Sequence, residues 1–184
     1  MLIGLTGAAT SGKGLVSSRL VAKHGFRVIR FAEPIKTMLI AGLRLSVDEV
    51  DGLDKGKPIE RFNGLTARYM MQTLGTEWGR RLIHKDVWVW AWQRAMHDAT
   101  MNDGENARIV VDDLRFPNEA DAIREAGGVI WRVVRPNVTI PKHQSERMAS
   151  DIRADLEIEN TSSIAALCTA ADKHVMDLAN GRRP

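Results

Sequence analysis

The heptapeptide Gly7-Ala8-Ala9-Thr10-Ser11-Gly12-Lys13 constrains this chain more than any other feature. Its G-x-x-x-x-G-K spacing is that of a phosphate-binding loop. The apolar run Leu2-Ile3-Gly4-Leu5 precedes it, and a helix-like stretch from Leu15 to His24 follows. That context matters as much as the pattern: a strand delivers the loop, glycines let backbone N–H groups turn toward an anion, and the helix N-terminus adds partial positive charge. Residues Gly7 to Gly14 are therefore expected to cradle phosphates, with Lys13 reaching the β- and γ-phosphates as a mobile point charge. The competing interpretation, an ordinary glycine-rich turn, explains the loop but not its fit to the whole motif. One residue departs from the pattern. Gly14 stands where Ser or Thr normally binds Mg²⁺. The ion would then fall to Thr6, Thr10 or Ser11, or to carboxylates, phosphates and water.

The 184 residues suffice for one α/β domain spanning 1–184. A net charge of +3 suits a small anionic substrate and does not point to nucleic acid. The pairs Arg80-Arg81 and Arg182-Arg183 read as solvated surface. No apolar stretch approaches transmembrane length, and polar residues and Lys13 soon interrupt the apolar start, so neither a membrane partner nor a secretory leader is expected. Cys168 is the only cysteine, which rules out an internal disulfide or a cysteine zinc cluster and fits a reducing cytoplasm. Its apolar helical setting predicts a core position.

Periodicity predicts alternating strands and helices. Strands are expected at Leu2–Thr6, Arg27–Phe31, Arg108–Asp112, Val129–Val134 and Leu156–Ile158. Helices are expected after the loop to Gly25, from Pro34 with Ile35, Met38, Leu39 and Leu43 inward, and from Asn118 to Gly127. Leu65, Tyr69, Leu74, Trp78 and Leu82 suggest another helix despite Gly75 and Gly79. Residues 86–99 read as a helix whose tryptophans pack inward, and a last helix, capped by Asn160 or Thr161, buries Ile164, Leu167, Ala171, Val175 and Leu178. Residues 46–64 read as an exposed insertion, and 136–150, with Pro141, Lys142, His143 and Arg147, as a lid. The pattern predicts an α/β fold with a mainly parallel sheet flanked by helices.

In such sheets ligands gather at the carboxyl ends of strands. That rule collects Lys13, Glu33, Asp112, Asp113, Arg115 and Arg135 round one anion. Phosphoryl transfer needs this combination of cations, metal-holding carboxylates and groups that orient an acceptor. Asp112-Asp113 ends an apolar strand, and one of the two could hold Mg²⁺ directly or through water, with helix or turn capping as the alternative. Arg115 has the planar fork of a phosphate clamp; a structural pair with Glu119 or Asp113 is nearly as natural. Arg68 and Gln72 lie one helical turn apart, so they are placed to hold an acceptor's phosphate and base edge, with Arg80 two turns on.

These pieces resemble the phage-type deoxynucleoside monophosphate kinases, within the P-loop nucleoside monophosphate kinases. The resemblance is carried by Gly7–Lys13, Phe31-Ala32-Glu33-Pro34-Ile35-Lys36, Arg68 with Gln72-Thr73-Leu74-Gly75-Thr76-Glu77, and Asp113-Leu114-Arg115-Phe116-Pro117-Asn118-Glu119. His143-Gln144-Ser145-Glu146 and Ile158-Glu159-Asn160 complete it, in order along nearly the whole chain. It implies ATP-dependent phosphorylation of a deoxynucleoside monophosphate to the diphosphate, with Mg²⁺, a moving lid and an acceptor region over about 34–100. On that basis Lys13, Glu33 and Arg115 are the expected catalytic residues. Gly7, Ala8, Ala9, Thr10, Ser11, Gly12, Lys13, Gly14 and Arg135 would bind ATP. Glu33, Lys36, Arg68, Gln72, Arg80, Asp113 and Arg115 would bind the acceptor. Related kinases often carry Asp at the position of Glu33. The family is similar to dephospho-CoA kinases and animal phosphomevalonate kinases, which leaves a non-nucleotide acceptor open; a nucleotide-binding regulatory module is the other alternative. Base preference and oligomeric state, a homodimer included, do not follow from these motifs.

Overall fold

A computed structural model describes residues 1–104, 107–136 and 144–182. It divides the chain into two compact units, Met1–Arg30 with Gln93–Pro184, and Phe31–Trp92.

The first unit is built on a five-stranded, wholly parallel sheet in the order β2-β3-β1-β4-β5. The strands are β1 (Leu2–Thr6), β2 (Arg27–Val28), β3 (Ile109–Val111), β4 (Val129–Val134) and β5 (Leu156–Glu159). β1 is central and buried along its whole length, as expected for an apolar run covered on both faces. Side chains alternate across it. Ile3 and Leu5 join Val16 and Leu20 of α1 (Lys13–His24) and Leu167, Ala171 and Val175 of α8 (Ile164–Ala179) in one core. Gly4 points the other way, where a Cβ would lie 2.6 Å from Ile123 of α6 (Pro117–Glu125). Asp172 of α8 receives Arg19, Lys23 and His24 of α1, at 2.7–2.8 Å, and so ties the loop-bearing helix to its neighbour.

β2 is shorter than the predicted Arg27–Phe31, because pairing with β3 stops at Val28. The final helix is capped by the Ser163 hydroxyl, which accepts from Ala166 N at 3.1 Å, and not by Asn160 or Thr161. Ile164 is exposed, while Leu167, Ala171 and Val175 are buried as predicted. Cys168 is half-buried. Of the expected lid, residues 137–143, including Lys142 and His143, lie outside the described residues. Its far end belongs to α7 (Gln144–Asp151), where Ala149 is buried and the carbonyls of Ala149 and Ser150 accept from the Arg132 guanidinium of β4. That end is anchored to the sheet.

The second unit is helical: α2 (Glu33–Leu43), α3 (Val47–Asp51), α4 (Ala67–Gln72) running on as a π-helix over Thr73–Ile83, and the start of α5 (Val87–Asp103). Its core contains Ile35, Leu39, Leu45, Val50, Ile59, Ala67, Met70 and Trp88. Val50 and Ile59 correct the expectation that 46–64 is an exposed insertion: a Ser46 capping box starts α3 and turns Val50 inward. The helix expected from these spacings forms over 67–83, and small residues with Met70 make up most of its packed face. Leu65, Tyr69, Trp78 and Leu82 are exposed, whereas Ala67, Met70, Gly75, Thr76 and Gly79 face inward. The small residues admit Trp88, whose indole N–H donates to Gly75 O at 2.7 Å and whose ring would lie 2.5 Å from a Cβ at Gly79. Close approach, not side-chain size, decided which face packs.

Candidate active site

The phosphate loop leaves the carboxyl end of β1 and enters α1. Gly7 and Gly12 carry φ of +131° and +113°, values that L side chains rarely adopt. Both are also sterically closed. A Cβ at Gly7 would sit 2.4 Å from Val133 O, and one at Gly12 2.7 Å from Asn160 Nδ2. Lys13 Nζ donates to Gly7 O and Ala8 O, each at 2.7 Å, so the ammonium lies over its own loop.

The ends of four parallel strands meet this loop, because parallel pairing puts all their carboxyl ends on one edge. After β4, Arg135 donates to Thr10 O at 3.4 Å. After β5, Asn160 donates to Ser11 O at 2.8 Å. After β3 come Asp112, Asp113 and Arg115, all near enough to act electrostatically on Lys13. Asn160 is the residue that motif reasoning misread as a helix cap. Its place directly after a strand pointing at the loop was the available signal.

Electrostatically, the arrangement suits an anion. Burial pushes the Lys13 ammonium down from 10.5 to about 8, and the Arg115 guanidinium pushes the same way, while Asp112 and Asp113 only partly oppose them. A phosphate here would relieve cation repulsion and replace lost solvation. Ser11 Oγ is buried and lacks a hydrogen-bond partner among the described residues. An orphan hydroxyl inside the loop fits a phosphate or metal-bound oxygen that would complete it.

Both Asp112 oxygens accept from Arg30, at 2.6 and 3.0 Å, so Asp112 is engaged in an ion pair. Among the described residues no group of three or more His, Cys, Asp or Glu side chains could hold a metal ion. Around Gly14 there is open space, with nothing within 4 Å of a Cβ position. In the turn after β3, buried Glu119 uses Oε2 to accept from the backbone N–H of Arg115 (2.8 Å) and Phe116 (3.0 Å). This holds the turn that presents Arg115.

The second unit carries the remaining candidates. Glu33 opens α2 half-exposed, with Lys36 Nζ at 3.5 Å; Lys36 itself is buried and bound to Asp51 at 2.6 Å. Lys36 thus ties α2 to α3 and steers Glu33 instead of presenting an open cation. Arg68 is exposed and Gln72 half-buried, one turn apart on α4. Arg80 donates to Lys85 O at 2.9 Å beyond the helix end.

The model of the deoxynucleotide monophosphate kinase family matches residues 59–170. A protein of Acanthamoeba polyphaga mimivirus assigned as a deoxynucleotide monophosphate kinase is 32% identical over 175 residues, covering 89% of this chain and 90% of that one. The deoxynucleoside-5'-monophosphate kinase of Escherichia phage T5 is 32% identical over 87 residues, 47% of this chain and 32% of the phage protein. Among solved structures, dephospho-CoA kinase from Campylobacter jejuni aligns with a TM-score of 0.54 at 16% identity over 98% of each chain. TT1252 from Thermus thermophilus aligns at 0.52 and 16% over 97% of each. At that identity the structural likeness speaks for the fold alone. No helix among the described residues is long and apolar enough to cross a membrane.

Proposed function

The chain belongs to the deoxynucleotide monophosphate kinase family, and from that premise we propose that it transfers the γ-phosphoryl group of ATP to the phosphate of a deoxynucleoside monophosphate. The observation that carries this reading is the phosphate loop with a half-buried, charge-repelled Lys13 at the meeting point of four strand ends. Loop amides and Lys13 hold the β- and γ-phosphates, Arg135 lies over the loop, and Arg115 offsets charge that builds on the transferring group. The acceptor oxygen is already anionic, so the chain's task is positioning more than proton removal. Arg68 and Gln72 grip the acceptor, and Glu33, steadied by Lys36, orients it.

Mg²⁺, when bound with ATP, would offset charge on the phosphates. Asp112, Asp113 and the Ser11 hydroxyl are the groups proposed to hold it, directly or through water. A coupled assay of ADP formation over the deoxynucleoside monophosphates, on wild type and Lys13→Ala, tests the reading. Turnover on at least one nucleotide that falls at least about a hundredfold in the variant is expected. Full turnover by folded Lys13→Ala, or turnover only on a non-nucleotide phosphate, refutes it.

A further inference from the structure

Glu77 is an acidic side chain for which the fold has no evident use. It lies in the π-helix Thr73–Ile83, and its Oε2 is shielded from solvent without a hydrogen-bond partner among the described residues. The residue as a whole is half-buried, and native structures leave few shielded oxygens of this kind without a donor. Other acids of the same unit are satisfied: Glu49 accepts from Arg61 and Ser46 N, and Asp51 from Lys36.

The helix geometry relates Glu77 to the residues proposed to grip the acceptor. Arg68 and Gln72 are one α-turn apart. Beyond Thr73 the helix takes the wider i to i+5 repeat, seen in His84 N donating to Gly79 O at 3.0 Å. One such turn from Gln72 arrives between Thr76 and Glu77, where an α-helix would reach Thr76. Arg68, Gln72 and Glu77 therefore descend one side of the helix, from an exposed guanidinium through a half-buried amide to a shielded carboxylate oxygen. Insertions of π-helix recur at functional sites.

We propose that Glu77 reads the base of the acceptor nucleotide and selects guanine. This rests on the preceding assignment of Arg68 and Gln72 to the acceptor. An ionised carboxylate accepts hydrogen bonds and cannot donate. Guanine presents N1–H and the N2 amino group side by side. Adenine and cytosine set an unprotonated ring nitrogen beside their amino group, and thymine flanks its single N–H with two carbonyls. Those acceptors repel a carboxylate, so the side chain discriminates by attraction and by repulsion together.

The test measures kcat/KM with ATP for the deoxynucleotides of guanine, adenine, cytosine, thymine and hypoxanthine, the last lacking only guanine's N2 amino group. Wild type should favour guanine over hypoxanthine by at least about tenfold. Glu77→Gln should lose about tenfold or more on guanine through KM, gain on adenine, whose N6–H and N1 a glutamine amide can pair with, and leave the KM for ATP unmoved. Equal guanine and hypoxanthine rates in wild type overturn the proposal, and that arm needs no variant to fold. A Glu77→Gln variant that slows on every base by one factor overturns it too, since a structural role would do that. A folded wild type that turns over no deoxynucleotide overturns the kinase reading itself, a result distinct from flat preference among accepted bases.

Discussion

Replacing Lys13 by methionine should change how stability depends on pH, by an amount the site sets. The folded protein holds the Lys13 ammonium down at about 8 against an ordinary 10.5, chiefly by burial and then by Arg115. At about 1.4 kcal/mol per pH unit, that drop makes the charged lysine unfavourable by about 3 kcal/mol. The sign follows from which state releases its proton first. Between pH 8 and 10.5 the unfolded chain keeps the proton and the folded one loses it, so folded stability rises with pH there. Below pH 8 the full penalty is present, and above 10.5 it is gone. Urea unfolding of wild type and Lys13→Met across pH 7 to 10.5 should therefore give curves that diverge by about 3 kcal/mol in favour of wild type as pH rises. Other lysines titrate in both proteins and cancel. The hydrogen bonds from Lys13 to Gly7 O and Ala8 O add a nearly constant offset and leave the slope alone. Saturating ATP should flatten the difference, because phosphate keeps Lys13 protonated. Parallel curves without nucleotide would refute the buried-cation account of the site.

Three further outcomes follow from named contacts. Asn160→Ala removes the 2.8 Å tether to Ser11 O and should weaken ATP binding about fivefold by calorimetry, the scale of one hydrogen bond, with little change in acceptor KM. Arg68→Ala should raise acceptor KM alone, whereas Arg115→Ala should mainly lower kcat; steady-state kinetics with each substrate varied separates them, and an ATP effect alone from Arg68→Ala would remove it from the acceptor site. Asp172 is held well below the usual carboxylate range, first by Arg19 and then by Lys23 and His24, so it contributes stability above about pH 4 that is lost as the pH falls below that. Asp172→Asn should lack that acid limb in a pH series of thermal unfolding, and identical limbs in both proteins would show the cluster to be inert.

Local pattern made much of the site legible. The glycine spacing, the apolar strand before it and the amphipathic helix after it placed Gly7 to Lys13 correctly, because strand and helix periods and positive-φ glycines are properties of short segments. Strand order was not written in any segment, yet the rule that ligands gather at the carboxyl ends of parallel strands brought Arg115 and Arg135 to the loop. The errors fell where burial depends on distant partners. Leu65, Tyr69, Trp78 and Leu82 signalled the helix but not its packed side, which Gly75 and Gly79 set by letting Trp88 approach closely. Val50 and Ile59 looked like loop residues until the folded unit covered them.

By itself the amino-acid sequence determined the glycine-spaced loop between strand and helix, the alternation of strands and helices that makes a parallel sheet, and the motifs that carry kinship with the deoxynucleotide monophosphate kinases. Each is encoded within a few neighbouring residues. Only the tertiary structure decided that Arg30 pairs with Asp112, that Asn160 holds the loop, and that Lys36 is an internal tie. Those outcomes depend on which charged and polar groups come within hydrogen-bond range across 15 to 149 residues of chain, and a desolvated charge takes whichever partner the packing brings nearest.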